Sequence, residues 1–151
     1  MYKILVVDDE SIEREGISFL IEKYKFPLEV AQATNGKTAL EYMRTHPIDI
    51  LLTDVKMPQM DGLELARHTF EKYPDVRILV FSAYGEFEFA KKAMAAQAVS
   101  YLLKPIEVDE FQRVMTQIIA QCDELSEKKK DEQQRDEEVR QQLLFRLVTG
   151  T

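Results

Sequence analysis

Four apolar stretches of this chain stop on polar groups. Lys3-Ile4-Leu5-Val6-Val7 runs into Asp8-Asp9, and Ile48 to Thr53 runs into Asp54. Val76 to Phe81 runs into Ser82-Ala83, and Ala98 to Leu103 runs into Lys104. Taken singly, each has an ordinary explanation. Asp8 or Asp9 can favour a helix N-terminus through the macrodipole, worth roughly 0.3–1 kcal/mol. Asp54 can cap the next helix, Ser82 can be a turn residue, and Lys104 can be a solvated charge. Brought together they define chemistry. Three carboxylates in one crevice repel one another, so they need a cation or a raised pKa. An oxygen-only site with room for water suits Mg²⁺ better than Zn²⁺. A Mg²⁺ ion and a lysine can neutralise a phosphoryl group, and a carboxylate such as Asp54 can accept it. The hydroxyl of Ser82 can donate to a phosphoryl oxygen.

Such convergence requires the four ends to share one edge of a sheet. The run ending at Asp54 has the length and composition of a strand buried on both faces of a parallel sheet. Pro58 and Asp61-Gly62 mark the turn after it. Leu28 to Thr34 is a weaker strand closed by Asn35-Gly36, so the chain carries five strands in all. Helical spacing fills the intervals. Ser11 can cap a helix carrying Ile12, Gly16, Ile17, Leu20, Ile21 and Tyr24. Gly16 costs that helix about 1 kcal/mol against Ala unless close packing needs it. Thr38 to Arg44 is a short helix. Asp61-Gly62 opens another, with Leu63, Ala66, Phe70 and Tyr73 on one face. Glu86 to Ala95 is a fourth, with Phe87, Ala90 and Met94 inward, and a long helical pattern starts near Val108. Strands alternating with helices predict an α/β fold with a parallel sheet covered on both faces. Right-handed crossovers leave few topologies. The flavodoxin-like, doubly wound order 2-1-3-4-5 places the ends of strands one and three side by side at its switch point.

Bulk properties narrow the function classes. A formal net charge of −7 over 151 residues argues against direct, non-specific binding to nucleic acid. One cysteine, Cys122, excludes an intramolecular disulfide and a cysteine-based zinc site. It falls in an apolar helical pattern, as a small core or interface hydrophobe does. The first residues lead straight into a strand, with no signal peptide and no run of about 18 apolar residues. A soluble, cytoplasmic protein without membrane contact is expected.

From Met1 to about Cys122 the chain resembles a response-regulator receiver domain of bacterial two-component signalling. The residues that carry the resemblance are Ile4 to Glu10, Asp54-Val-Lys-Met-Pro58, Met60-Asp-Gly62, Ser82-Ala83 and Lys104-Pro105. The resemblance implies that Asp54 is the phosphoacceptor, taking a phosphoryl group from the phosphohistidine of a sensor histidine kinase. Asp9, Asp54 and the backbone carbonyl of Lys56 would ligate Mg²⁺, with Asp8 in support. Lys104, Ser82 and Ala83 would bind the phosphoryl group. Ser82 and Tyr101 take the two switch positions, and a cis bond is expected at Lys104-Pro105. The face formed by helix four, strand five and helix five would change on phosphorylation. Such a domain assists its own phosphorylation but is not a conventional enzyme. Lys56 and Tyr84, two residues beyond Asp54 and Ser82, could crowd an attacking water and slow autodephosphorylation. They could equally be ordinary surface residues.

The domain is expected to span 1–122, followed by a helical linker over 123–151. Phe111, Val114, Met115, Ile118 and Ile119 form the stripe of the last domain helix. Asp123 to Arg140 has neither Pro nor Gly and is rich in helix formers. A heptad trace through Phe111, Met115, Ile118, Cys122, Leu125, Val139 and Leu143 is interrupted at Lys129, Glu132 and Asp136. It favours an extended, coiled-coil-like helix that assists homodimerisation on phosphorylation, over a solvated linker. The Tyr84 to Ala90 segment and this tail resemble regulators with an AraC-type helix-turn-helix output domain. That domain is absent from this chain, so DNA binding would belong to it. Three rivals are weaker. A flavodoxin-type FMN carrier wants a phosphate loop where Asp-Asp-Glu stands. An aspartyl-nucleophile phosphatase wants an Asp-x-Asp pair at one strand end. A phosphorylation-independent dimerisation scaffold has no need of both Asp54 and Lys104.

Overall fold

The computed structural model describes residues 1–83 and 99–150. In chain order its elements are β1 (Tyr2–Val7), α1 (Ser11–Lys23), β2 (Leu28–Ala33), α2 (Gly36–Thr45), β3 (Ile50–Asp54), α3 (Gly62–Lys72), β4 (Arg77–Ala83), β5 (Val99–Lys104) and a C-terminal helix (Val108–Thr149). The expected helix over Glu86 to Ala95, with Phe87, Ala90 and Met94, lies outside the described residues, as does Tyr84. All strand pairs are parallel and the order is β2-β1-β3-β4-β5. This is the flavodoxin-like arrangement that the alternation of elements implies.

Successive strand side chains point to opposite faces, and the two faces have different partners. Ile4, Val6, Ile50, Leu52, Leu79, Phe81 and Leu102 pack under α1 and the C-terminal helix. Leu5, Val7 and Leu51 pack under Ala39 and Met43 of α2 and Leu65 of α3. Beside them, Val55, Ile78 and Val80 enclose Ala66, with Leu63 and Tyr101 against them. Burial on both faces is why β1 and β3 read as unbroken apolar runs.

The structure corrects several local readings. Ser11 is the first residue of α1 and not its cap. Glu10 holds the cap position without a side-chain bond, while Asp8 Oδ1 accepts from the Glu10 N–H at 2.9 Å. The buried stripe of α1 is Ile17 and Ile21, and Ile12 is 81% exposed. Gly16 is not demanded by packing, since a Cβ there would meet nothing within 4 Å. α2 starts at Gly36, because Asn35 and Thr38 close a reciprocal capping box. On α3 the buried face is Leu65, Ala66 and Thr69, whereas Phe70 is 36% exposed. Thr69 can be buried because its hydroxyl donates to the Leu65 carbonyl at 2.8 Å. β4 continues through Ser82 and Ala83, which pair in register with Leu103 and Lys104.

The C-terminal helix runs 42 residues, about 63 Å at 1.5 Å per residue. Phe111, Val114, Met115, Ile118 and Cys122 are buried, and Phe26 meets the Phe111 ring edge-on with centroids 6.1 Å apart. Burial pushes the Cys122 thiol up to about 11, which keeps it a protonated core side chain. The Tyr2 hydroxyl donates to Asp123 where the helix leaves the domain. Farther along, Lys129 pairs with Asp75 at 2.9 Å between exposed side chains, a contact worth at most about 1 kcal/mol. Val139, Leu143, Leu144 and Phe145 are exposed.

Candidate functional site

Register brings the strand ends together. Val7 of β1 pairs with Thr53 of β3, so Asp8 and Asp54 leave adjacent strands at the same level. Asp54 pairs with Phe81 of β4, and Ala83 pairs with Lys104 of β5. All four ends therefore open on one edge. They border a cleft of about 550 Å³ lined by Asp9, Asp54, Lys56, Met57, Ala83 and Lys104, among others.

The loop after β3 is shaped by close backbone contact. The Thr53 hydroxyl donates to the Asp54 carbonyl at 2.9 Å. The Gly62 N–H donates to the Val55 carbonyl at 2.7 Å. Gln59 takes a left-handed backbone, with φ of 69°. Asp61 caps α3 by accepting from the Glu64 N–H at 2.8 Å. Gly62 sits so near the end of β3 that a Cβ would lie 1.9 Å from the Asp54 carbonyl oxygen. The Lys104-Pro105 bond is cis, as expected.

At the centre, Lys104 Nζ donates to Asp54 Oδ1 at 3.2 Å and to Glu13 Oε2 at 2.8 Å. It also lies 4.6 Å from the centroid of the Phe81 ring, a cation–π contact. Asp8, Glu13 and Asp54 can each offer one carboxylate oxygen within 4.8 Å of the others. Asp8 is fully buried; its Oδ2 accepts from no donor, and the buried Ser82 Oγ has no hydrogen-bond partner. Asp9 is exposed at the cleft wall. Strand alternation puts Ser82 on the α3 side of the sheet with Val80. Tyr101, which pairs with Val80, packs half-buried on that same side.

The electrostatics follow from crowding. Burial, then a hydrogen bond with Glu13, pushes the Asp8 carboxyl up to about 8. Glu13 moves the other way, held below the usual range by its bond with Asp8 and by Lys104. Burial raises Asp54 despite the opposing pull of Lys104. Burial also pulls the Lys104 ammonium down, but its bonds to Glu13 and Asp54 more than offset this and leave it above its ordinary value. Burial raises the Tyr101 phenol.

A pH dependence follows. Between about 4 and about 8 the folded chain keeps a proton on Asp8 that the unfolded chain has released. The unfolded state then binds fewer protons, so this group's contribution to stability is full below pH 4 and lost as pH rises through 8. In chelator, Asp8→Asn is expected to raise Tm more at pH 8 than at pH 5. Thermal melts at the two pH values check this, and an equal shift at both would contradict it.

Nothing in the local sequence marks Glu13 as a site residue. It sits in the first turn of α1, where an acidic residue reads simply as a helix-dipole partner. The useful signal is its place one turn beyond the switch-point end of β1. The donor set fits a hard cation: it is all oxygen, it is crowded with like charge, and one buried carboxylate oxygen lacks a donor.

This fold and this edge define a phosphoryl-signalling domain rather than a flavin carrier, and comparison with known proteins agrees. The response regulator receiver domain family matches residues 4–116, and the chain belongs to that family. It is 41% identical over 122 residues to the uncharacterized transcriptional regulatory protein YesN of Bacillus subtilis strain 168, covering 80% of this chain and 33% of that protein. The crystal structure of a two component transcriptional regulator AraC from Clostridium phytofermentans ISDg superposes with a TM-score of 0.73 at 35% identity, over 81% of this chain and 95% of that one. The REC domain of AraT, a response regulator from Geobacillus stearothermophilus, matches with a TM-score of 0.73 at 37% identity, over 85% and 98% of the two chains. The chain thus spans a third of YesN. Among the described residues no helix is long and apolar enough to cross a membrane.

Proposed function

We propose that Asp54 is the phosphoacceptor of this receiver domain and that Lys104 is its principal phosphoryl contact. The observation that carries this is the Lys104 Nζ to Asp54 Oδ1 bond at 3.2 Å, made at the wall of a cleft whose edge also holds an unpartnered buried hydroxyl, Ser82 Oγ. An Asp54 oxygen would attack the phosphorus of a sensor kinase phosphohistidine. The O–P bond forms as the N–P bond breaks, and the imidazole leaves with the electron pair. Catalysis on this side is positioning and charge neutralisation. Lys104 would stand against the developing negative charge, and Ser82 Oγ and the Ala83 backbone would meet phosphoryl oxygens. Asp9, Asp54 and the Lys56 carbonyl would hold Mg²⁺ with Asp8 in support, and bound Mg²⁺ would supply charge neutralisation of the phosphoryl oxygens. The product carries about two negative charges. Ser82 would move towards it, and Tyr101, on the same side of the sheet, would turn inward. Lys56 and Tyr84 would set the lifetime by crowding an attacking water.

The output readings rest on the relatives. Residues 1–122 are the receiver unit and 123–151 a helical linker. Its exposed Val139 and Leu143 support a phosphorylation-promoted homodimer. An AraC-type DNA-binding output domain, in the cytoplasm, would receive the signal. The test is to treat the protein with Mg²⁺ and acetyl phosphate and to read intact mass together with light scattering. The expected result is a gain of one phosphoryl group, lost in Asp54→Asn and in chelator, with a shift towards dimer. No gain, or a gain that survives Asp54→Asn, refutes the assignment and favours a phosphorylation-independent scaffold.

A further inference from the structure

Lys104 is shared. Its ammonium lies nearer to Glu13 Oε2, at 2.8 Å, than to Asp54 Oδ1, at 3.2 Å. Glu13 reaches it from the first turn of α1, 91 residues away in sequence. The Phe81 ring bears on the same ammonium from another side. An ammonium has three N–H donors. Here one is committed to Asp54 and one to a carboxylate outside the set through which the domain would bind a phosphoryl group.

We infer that Glu13 is a positioning residue that competes for Lys104. It holds the ammonium partly away from the acceptor until the charge of the phosphoryl group draws it over. The inference rests on Asp54 being the phosphoacceptor. Glu13 also stands in the carboxylate cluster with Asp8 and Asp54, so it adds negative charge where a negatively charged donor must approach. Both effects act in one direction: Glu13 slows phosphorylation and weakens the hold of Lys104 on the product. Its side chain and that of Lys104 are 31% and 23% exposed, so the competition is that of a partly screened ion pair and not of a buried one. Glutamine at position 13 keeps a carbonyl acceptor for Lys104 and removes the charge. Alanine removes both and should behave alike, because the competition needs the charge.

The experiment compares phosphorylation rates with acetyl phosphate and Mg²⁺ for four proteins: wild type, Glu13→Gln, Lys104→Gln and the double variant. Fluoroberyllate affinity, read by tyrosine fluorescence, serves as a second measurement. Circular dichroism confirms folding, and Glu13→Ala replaces Glu13→Gln if the latter does not fold. Glu13→Gln is expected to be faster by about three- to fivefold, the size of a partly exposed ion pair given up, and to bind fluoroberyllate more tightly by a similar factor. In the Lys104→Gln background the same substitution is expected to have a much smaller effect on both quantities, because only the relief of charge repulsion is left. A merely structural role for Glu13 would not show this dependence on Lys104. Glu13→Gln no faster than wild type overturns the inference. So does an equal acceleration in both backgrounds, which would mean that Glu13 acts by bare charge and not through Lys104. A wild-type protein that takes no phosphoryl group fails at the earlier step, the assignment of Asp54.

Discussion

Lys104→Gln is expected to slow phosphorylation of Asp54 about a hundredfold, the usual cost of removing one preorganised donor from a developing oxyanion. The ammonium lies at 3.2 Å from Asp54 Oδ1 and faces a cluster of three carboxylates. Glutamine retains hydrogen-bonding capacity and most of the stem, so the loss isolates the charge. The same substitution removes a cation beside the proposed Mg²⁺ site, and Mg²⁺ is then expected to bind at least as tightly as before. This divergence separates loss of the phosphoryl contact from collapse of the site. Time-resolved intact mass measures the rate, and quenching of tyrosine fluorescence measures Mg²⁺ binding. A rate within twofold of wild type would mean that Lys104 serves the unphosphorylated site only, as a counter-charge for Asp54 and Glu13.

Gly62→Ala is expected to cost about 1–3 kcal/mol of stability, the range for forcing a methyl group into filled space, and to slow phosphorylation as well. The added Cβ would lie 1.9 Å from the Asp54 oxygen, 2.8 Å from its carbonyl carbon and 3.0 Å from Val55 Cα. Every one of these is backbone, so no rotamer change gives relief. Either the Gly62 N–H to Val55 carbonyl bond at 2.7 Å breaks or the end of β3 shifts, and Asp54 shifts with it. Gly36 is the internal control. A Cβ there meets Met60 at 2.6 Å, but the atoms are those of a flexible side chain. Gly36→Ala should therefore cost less. Urea unfolding of the two variants, followed by circular dichroism, decides this. Equal costs, or a Gly62 variant within about 0.5 kcal/mol of wild type, where changes away from special sites usually fall, would show that the loop yields easily.

The order of elements was legible because the signals are local. Buried parallel strands are short β-branched and leucine runs, and their ends carry Asp8, Asp54, Ser82 and Lys104. Right-handed crossovers then confined the topology, and the observed order β2-β1-β3-β4-β5 follows. The buried stripe of the C-terminal helix was legible for the same reason: Phe111, Val114, Met115 and Ile118 recur at helical spacing. Helix faces are less legible where hydrophobicity misleads. Thr69 is buried because it satisfies its own hydroxyl, and Ile12 and Phe70 are left exposed on helices whose packed stripes lie elsewhere.

For the site, the sequence by itself determined which strand ends carry chemistry: carboxylates at β1 and β3, a hydroxyl at β4 and an ammonium at β5. Residue type and position along a strand are enough for that. Only the tertiary structure decided how the charges divide among partners. It placed Glu13 against Lys104 across 91 residues, left Asp8 Oδ2 without a donor and left Ser82 Oγ unpartnered. It also set Asp8 and Glu13 on opposite sides of their ordinary carboxyl range. These depend on distances of a few ångströms between separate elements, where Coulomb energies and desolvation change steeply. The strand order sets those distances; the spacing of residues along the chain does not.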